Sequence, residues 1–189
     1  MENISNAELS LLSLIQERPL HAYEIEQVIE ARNIRYWTDL GFSSIYRILS
    51  KLESSGLLKS QLHPPEGRGP ARKVFHITES GKKAWKQAAL NTLAHPTHQY
   101  SSFMLGLDNL GELPSSEAIQ SIRNNLSNQK IAFDQLEKMV DAHPLRENFF
   151  INIFFDYLLD HHASEIKWLQ GLCTQLEQFN QNNNQKEKK

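Results

Sequence analysis

The residues best equipped for chemistry in this 189-residue chain are short hydroxyls and cations set at helical spacing. Between Gly41 and Leu58 the sequence reads GFSSIYRILSKLESSGLL. Ser43, Ser44, Arg47, Ser50, Lys51 and Ser54 share one side of the helix this stretch predicts, and Ile45, Ile48, Leu49, Leu52 and Leu57 form its apolar stripe. Arg47 and Lys51, four residues apart, project from the same side. An arginine grips a guanine edge through two hydrogen bonds, whereas a lysine is a point charge suited to phosphate. Ser43 and Ser44 stand at the leading end, where a hydroxyl can cap the first turn or bond a phosphate or base. Tyr46 has two readings: its ring packs beneath the helix, or its hydroxyl reaches a phosphate.

The segment after this helix sharpens the chemistry. Gly56 sits where a left-handed residue ends a helix. Residues 57–63 read as a strand, HPPEGRGPA as a loop and Arg72 to Ile77 (RKVFHI) as a second strand. Arg68, Arg72 and Lys73 lie in or beside that turn. The loop has no core of its own, so no internal partner is expected for these cations. They are expected on phosphate or in a minor groove. A helix with a small, basic outer face joined directly to a basic hairpin describes the recognition helix and wing of a winged helix-turn-helix.

Charge is distributed to match. Residues 41–90 hold nine Lys/Arg against three Asp/Glu, although the whole chain is −2. A compact basic patch on a mildly acidic protein is a sign of DNA contact.

Other chemistries find little support. The nearest histidine groups are His95 with His98, and His161 with His162. Neighbouring helical residues diverge by about 100°, so the adjacent pair cannot face one ion. No metal or other cofactor is expected. There is no GxSxG and no phosphate loop, and Cys173 lies in an apolar helix where a thiol stays protonated, so no enzyme is expected. One cysteine excludes an internal disulfide and suits a reducing cytoplasm. No apolar run reaches the roughly 18 residues of a membrane span.

Several elements must position these side chains. Residues 6–17 predict a first helix ending before Pro19, and HAYEIEQVIEAR predicts a second. NIRYWTDLG is too irregular for a long helix. A fourth helix begins at Thr78. Beyond residue 95, HQYSSFMLGLDNLGEL holds one short helix. From Ser115 a heptad-like seam carries Ile119, Ile122, Leu126, Phe133, Leu136 and Val140. After Pro144 a long aromatic helix offers Ile151, Phe154, Leu158, Ile166, Leu169, Leu172 and Leu176. Two helices this apolar need more cover than a hairpin gives. Ile122, Leu126, Phe133, Leu136, Phe154, Leu158, Leu169, Leu172 and Leu176 are therefore expected at a dimer interface. The expected division is a mainly α chain with a winged helix-turn-helix over 1–95, a helical dimerisation and effector domain over 96–179, and a disordered tail over 180–189.

Three blocks in register, HAYEI, GFSSIYRILSKLESSGLL and RKVFHITESGKKAW, resemble the PadR family of bacterial transcriptional regulators over roughly residues 7–88. His21-Ala22 replaces a glycine common before the tyrosine, and Phe75-His76 stands where a tyrosine is usual. The resemblance implies that Tyr23 shares the two readings of Tyr46. It also implies a homodimer on near-palindromic double-stranded DNA, a repressor released by a small-molecule effector. The rival expectations are a module whose third helix binds protein, and a regulator controlled by a partner protein.

Overall fold

A computed structural model describes residues 4–64, 71–95 and 101–186 of the chain. They form two compact units, residues 1–98 and 99–189. The first unit contains α1 (Asn6–Glu17), β1 (Leu20–His21), α2 (Ala22–Ala31), α3 (Phe42–Ser54), β2 (Leu58–His63), β3 (Arg72–Ile77) and α4 (Glu79–Ala94), with a single 3-10 turn at Ile34–Tyr36. The second contains α5 (Ser102–Asp108), a 3-10 turn at Leu110–Glu112, α6 (Ser115–Asp141) and α7 (Phe149–Lys186).

Local chemistry sets each boundary. Ser5 caps α1 in a reciprocal box: its hydroxyl accepts from the Glu8 N–H, and the Glu8 carboxylate accepts from the Ser5 N–H. Pro19 disfavours a helical conformation in the residue before it, and Arg18 is extended at φ −163°. His21 then does for α2 what Ser5 does for α1. Its Nδ1 accepts from the Glu24 N–H while the Glu24 carboxylate accepts from the His21 N–H. Asn33 takes the left-handed conformation at φ 53° and turns the chain toward α3.

The sheet has the order β1-β3-β2, all antiparallel. Sequence periodicity does not reveal β1, since two residues are too few to show a pattern. It pairs Leu20 with Phe75 and His21 with Val74. In the hairpin Leu58, Ser60 and Leu62 stand opposite Ile77, Phe75 and Lys73. Directly opposed residues share a sheet face, so Leu20, Leu58, Phe75 and Lys73 point one way, toward the helices. Arg72, Val74 and His76 point the other. Leu11, Leu12, Ile15, Leu20, Ile25, Ile29, Leu40, Ile45, Leu49, Leu52, Leu58 and Phe75 close one core. Trp85 of α4 adds its ring and donates its indole N–H to Ser13 Oγ at 3.0 Å.

In the second unit α6 and α7 pack as a hairpin. Ile122, Leu169 and Cys173 are buried in it with Leu126, Leu172 and Leu176 against them, and Arg123 pairs with Glu177 at 2.6 Å. The two seams thus bury each other first. Ile122, Leu136 and Leu169, expected at a dimer interface, are at most 7% exposed within one chain. Exposed apolar side chains of α7 include Phe149, Phe150, Ile153 and Tyr157 in its first turns, and Trp168 and Phe179 further along. The tail also differs from expectation. α7 continues to Lys186, because extending a formed helix costs far less than starting one.

α4 starts against the end of α3. Thr78 Oγ1 caps it from the Gly81 N–H, and a methyl group at Gly81 would stand 2.1 Å from the Leu57 carbonyl oxygen. Gly81→Ala should therefore destabilise the protein by about 2–3 kcal/mol through overpacking, despite the roughly 1 kcal/mol gain in helix propensity. Urea unfolding midpoints measure this.

Candidate nucleic-acid interface

α3 begins with Gly41 as N-cap, extended at ψ 151°, and no side chain caps the helix. Ser43 or Ser44 is expected to do so, yet both fall inside the first turn, two and three positions after the cap. The Ser44 hydroxyl instead donates back to the Gly41 carbonyl. The side chain of Ser43 lies outside the described residues, as does all of Arg68. Along the outer face, Tyr46, Arg47, Ser50, Lys51 and Ser54 are exposed. Tyr46 is 66% exposed, so its ring does not pack beneath the helix. Tyr23, in the first turn of α2, is 65% exposed and stacks on His21 with 6.3 Å between ring centres.

The cations divide into two kinds. Arg47 makes no ion pair or hydrogen bond with any described residue. Arg72 lies on the outer sheet face, its Nη1 3.4 Å from His21 Nε2. The His21 Nδ1 already accepts from the Glu24 N–H, so a neutral ring carries its proton on Nε2. Arg72 thus gains no acceptor there and keeps its donors.

Lys51 and Lys73 are different. Lys51 Nζ is 2.7 Å from Glu8 Oε1, and the Glu8 side chain is only 5% exposed. Lys73 Nζ is 2.6 Å from Glu53 Oε2 and 5.3 Å from the centre of the Phe75 ring. The expectation that nothing inside the protein claims Lys73 is therefore overturned. Strand alternation turns it to the helix side with Phe75, toward the last turn of α3. The other Glu53 oxygen accepts from Ser60 Oγ at 2.5 Å, so one carboxylate ties the recognition helix to both wing strands. Neither Glu8 nor Glu53 stands out in the sequence, though the alternation in RKVFHI is a usable signal for the second.

Burial raises the Glu8 carboxyl, but hydrogen bonds from Lys51 and Ser5 and the Lys51 charge outweigh it and hold the group below its ordinary 4.5. The Lys73 and Ser60 hydrogen bonds lower Glu53 against a smaller effect of burial. Among the described residues no three His, Cys, Asp or Glu side chains are grouped to hold a metal ion. No helix there is long and apolar enough to cross a membrane.

A depressed carboxyl stabilises the fold above its unfolded value and stops doing so as pH falls through its folded value. Lys51→Ala, which strands the Glu8 charge, should cost about 1–3 kcal/mol near pH 7. The gap to the parent should narrow below pH 4.5, as Glu8 takes up a proton. Thermal melts across that range would show it.

Residues 11–87 match the family model described as the transcriptional regulator PadR-like family. No curated protein matches the sequence. Solved structures do. PadR of Bacillus subtilis in complex with operator DNA is similar at a TM-score of 0.75 and 19% identity, over 89% of this chain and 98% of that one. The same protein in complex with p-coumaric acid gives 0.71 and 19%, over 90% and 94%. The virulence activator AphA of Vibrio cholerae gives 0.73 and 17%, over 92% and 99%. The match to the PadR-like family of transcriptional regulators is thus carried by residues 11–87, which run from α1 through the capped start of α2, α3 and the wing strands to the α3–α4 junction.

Proposed function

We propose that the chain is a DNA-binding regulator that holds a near-palindromic operator as a two-fold dimer, represses a nearby promoter and lets go when an effector binds. The observation that carries this reading is Arg47, exposed and without a partner among the described residues, beside the open Tyr46 ring on the outer face of α3. Tyr23, Arg72 and the uncapped N-terminus of α3 extend the same surface with donors suited to phosphate. The operator and p-coumaric acid complexes of the Bacillus subtilis relative support the DNA and effector parts. On this reading the chain catalyses nothing and works in the cytoplasm.

Two recognition helices held about 34 Å apart would enter successive major grooves. The surface we assign to the dimer is the exposed α7 stripe of Phe149, Ile153 and Tyr157, at steps of four, with Phe150 beside it. An apolar stripe of this kind marks an interaction site. Ile153→Asp should give a folded monomer by sedimentation that no longer binds the operator. Leu169→Asp, in the hairpin core, should unfold the second unit.

With Lys51 and Lys73 closed on carboxylates, about two or three phosphate contacts per protomer remain, so log affinity should fall against log salt with a slope of about −4 to −5. Arg47→Ala should cost about 1–3 kcal/mol on the operator and little on random DNA. Arg47→Lys should lose nearly as much, because lysine cannot form the two-pronged contact. Fluorescence anisotropy on both duplexes measures the difference. Parental operator affinity in Arg47→Lys would reduce Arg47 to a phosphate clamp.

A further inference from the structure

Glu53 is out of place by the logic of DNA attraction. It stands on the last turn of the helix that faces phosphate in the reading above, and it brings a negative charge there. Its clasp with Lys73 is also not a core feature, since the two side chains are 30% and 47% exposed. Ion pairs this exposed add little to stability. A neutral glutamine would still accept from Ser60, so the Ser60 tie does not demand a carboxylate either. The Glu8–Lys51 pair differs, because Glu8 is buried and needs its lysine. What the Glu53 charge does is occupy Lys73. The ammonium is held by Oε2 at 2.6 Å and lies over the Phe75 ring, on the helix-facing side of the hairpin.

We propose that Glu53 is a specificity-determining residue, an internal counter-anion that withholds Lys73 from undirected phosphate contact. Random DNA is then bound weakly, while the operator keeps its directed contacts through Arg47. The inference rests on the DNA-binding reading. An undirected complex can settle wherever a free cation meets a phosphate, whereas the operator complex is fixed in register by Arg47, so a cation withheld from phosphate weakens the former more and widens the ratio between operator and bulk DNA.

The test compares the full-length parent with Glu53→Gln on a random duplex and on a duplex selected from a random pool by the parent. Glu53→Gln should keep the parental melting temperature. It should bind random DNA roughly five- to tenfold more tightly per protomer at 0.1 M salt, with a slope steeper by about 0.9 per protomer. The selected-to-random ratio should fall. Adding Lys73→Met should return affinity and slope to parental values, which a merely structural role for Glu53 would not predict. Unchanged or weaker random-DNA binding in Glu53→Gln overturns the proposal, and so does a gain that survives Lys73→Met. A parent that binds no DNA at low salt removes the DNA reading itself; a parent that binds while the variant matches it removes only the role of Glu53.

Discussion

The backbone at Gly56 and Leu57 is the point through which the first unit is held together. Gly56 ends α3 in the left-handed conformation at φ 73°, which a side chain adopts only at a cost. Its carbonyl accepts from Thr78 Oγ1 at 2.8 Å and Ser80 Oγ at 2.9 Å. The Leu57 carbonyl accepts from the Thr78 N–H at 3.0 Å, and the Leu57 N–H donates to Leu52 at 2.9 Å. The end of the recognition helix, the entry to the wing and the start of α4 therefore share one short stretch of backbone. That sharing explains why a small residue, a threonine and a serine stand where they do. Each either permits the approach or satisfies a carbonyl that the approach would strand.

Electrostatics on the candidate DNA face is sparser than composition suggests. Three of the cations between residues 41 and 90 are closed on carboxylates: Lys51 on Glu8, Lys73 on Glu53 and Lys82 on Glu79. The pairs have different physical meanings. Glu8 is a buried anion that also caps α1, so Lys51 serves the fold as much as the surface. Glu79 is an exposed neighbour three residues from its lysine, and a pair so open to solvent adds little to the fold. Arg47, with no such partner among the described residues, is the cation best able to read sequence.

Periodicity makes much of the fold readable. The apolar stripes of α1, α3 and α6 lie where spacing puts them, and the hairpin strands begin and end within a residue of expectation. Contacts that depend on one side chain meeting another far along the chain are not readable in this way. β1 is two residues long and exists only because β3 passes beside Leu20. The cap of α3 is displaced from the expected serines because Gly41 offers no side-chain acceptor to recognise. Lys73 escapes a correct assignment because its strand position shows only which face it takes, not that Glu53 of α3 waits on that face. The α6 and α7 seams are visible in the sequence, but their partner is not. Each seam satisfies the other, while Phe149, Phe150, Ile153 and Tyr157 in the first turns of α7 stay open.

At 38 residues, α7 is about 57 Å long, whereas the 27 residues of α6 run for only about 40 Å. A rod of this length is a lever. Pivoting it by about 5° at the Phe149 end sweeps the opposite end through roughly 5 Å, about one helical turn. A displacement of that size is comparable with the spacing between neighbouring phosphates. A shift at the hairpin turn smaller than a single side chain would thus be magnified, by length alone, to the scale on which a protein is in or out of step with a double helix.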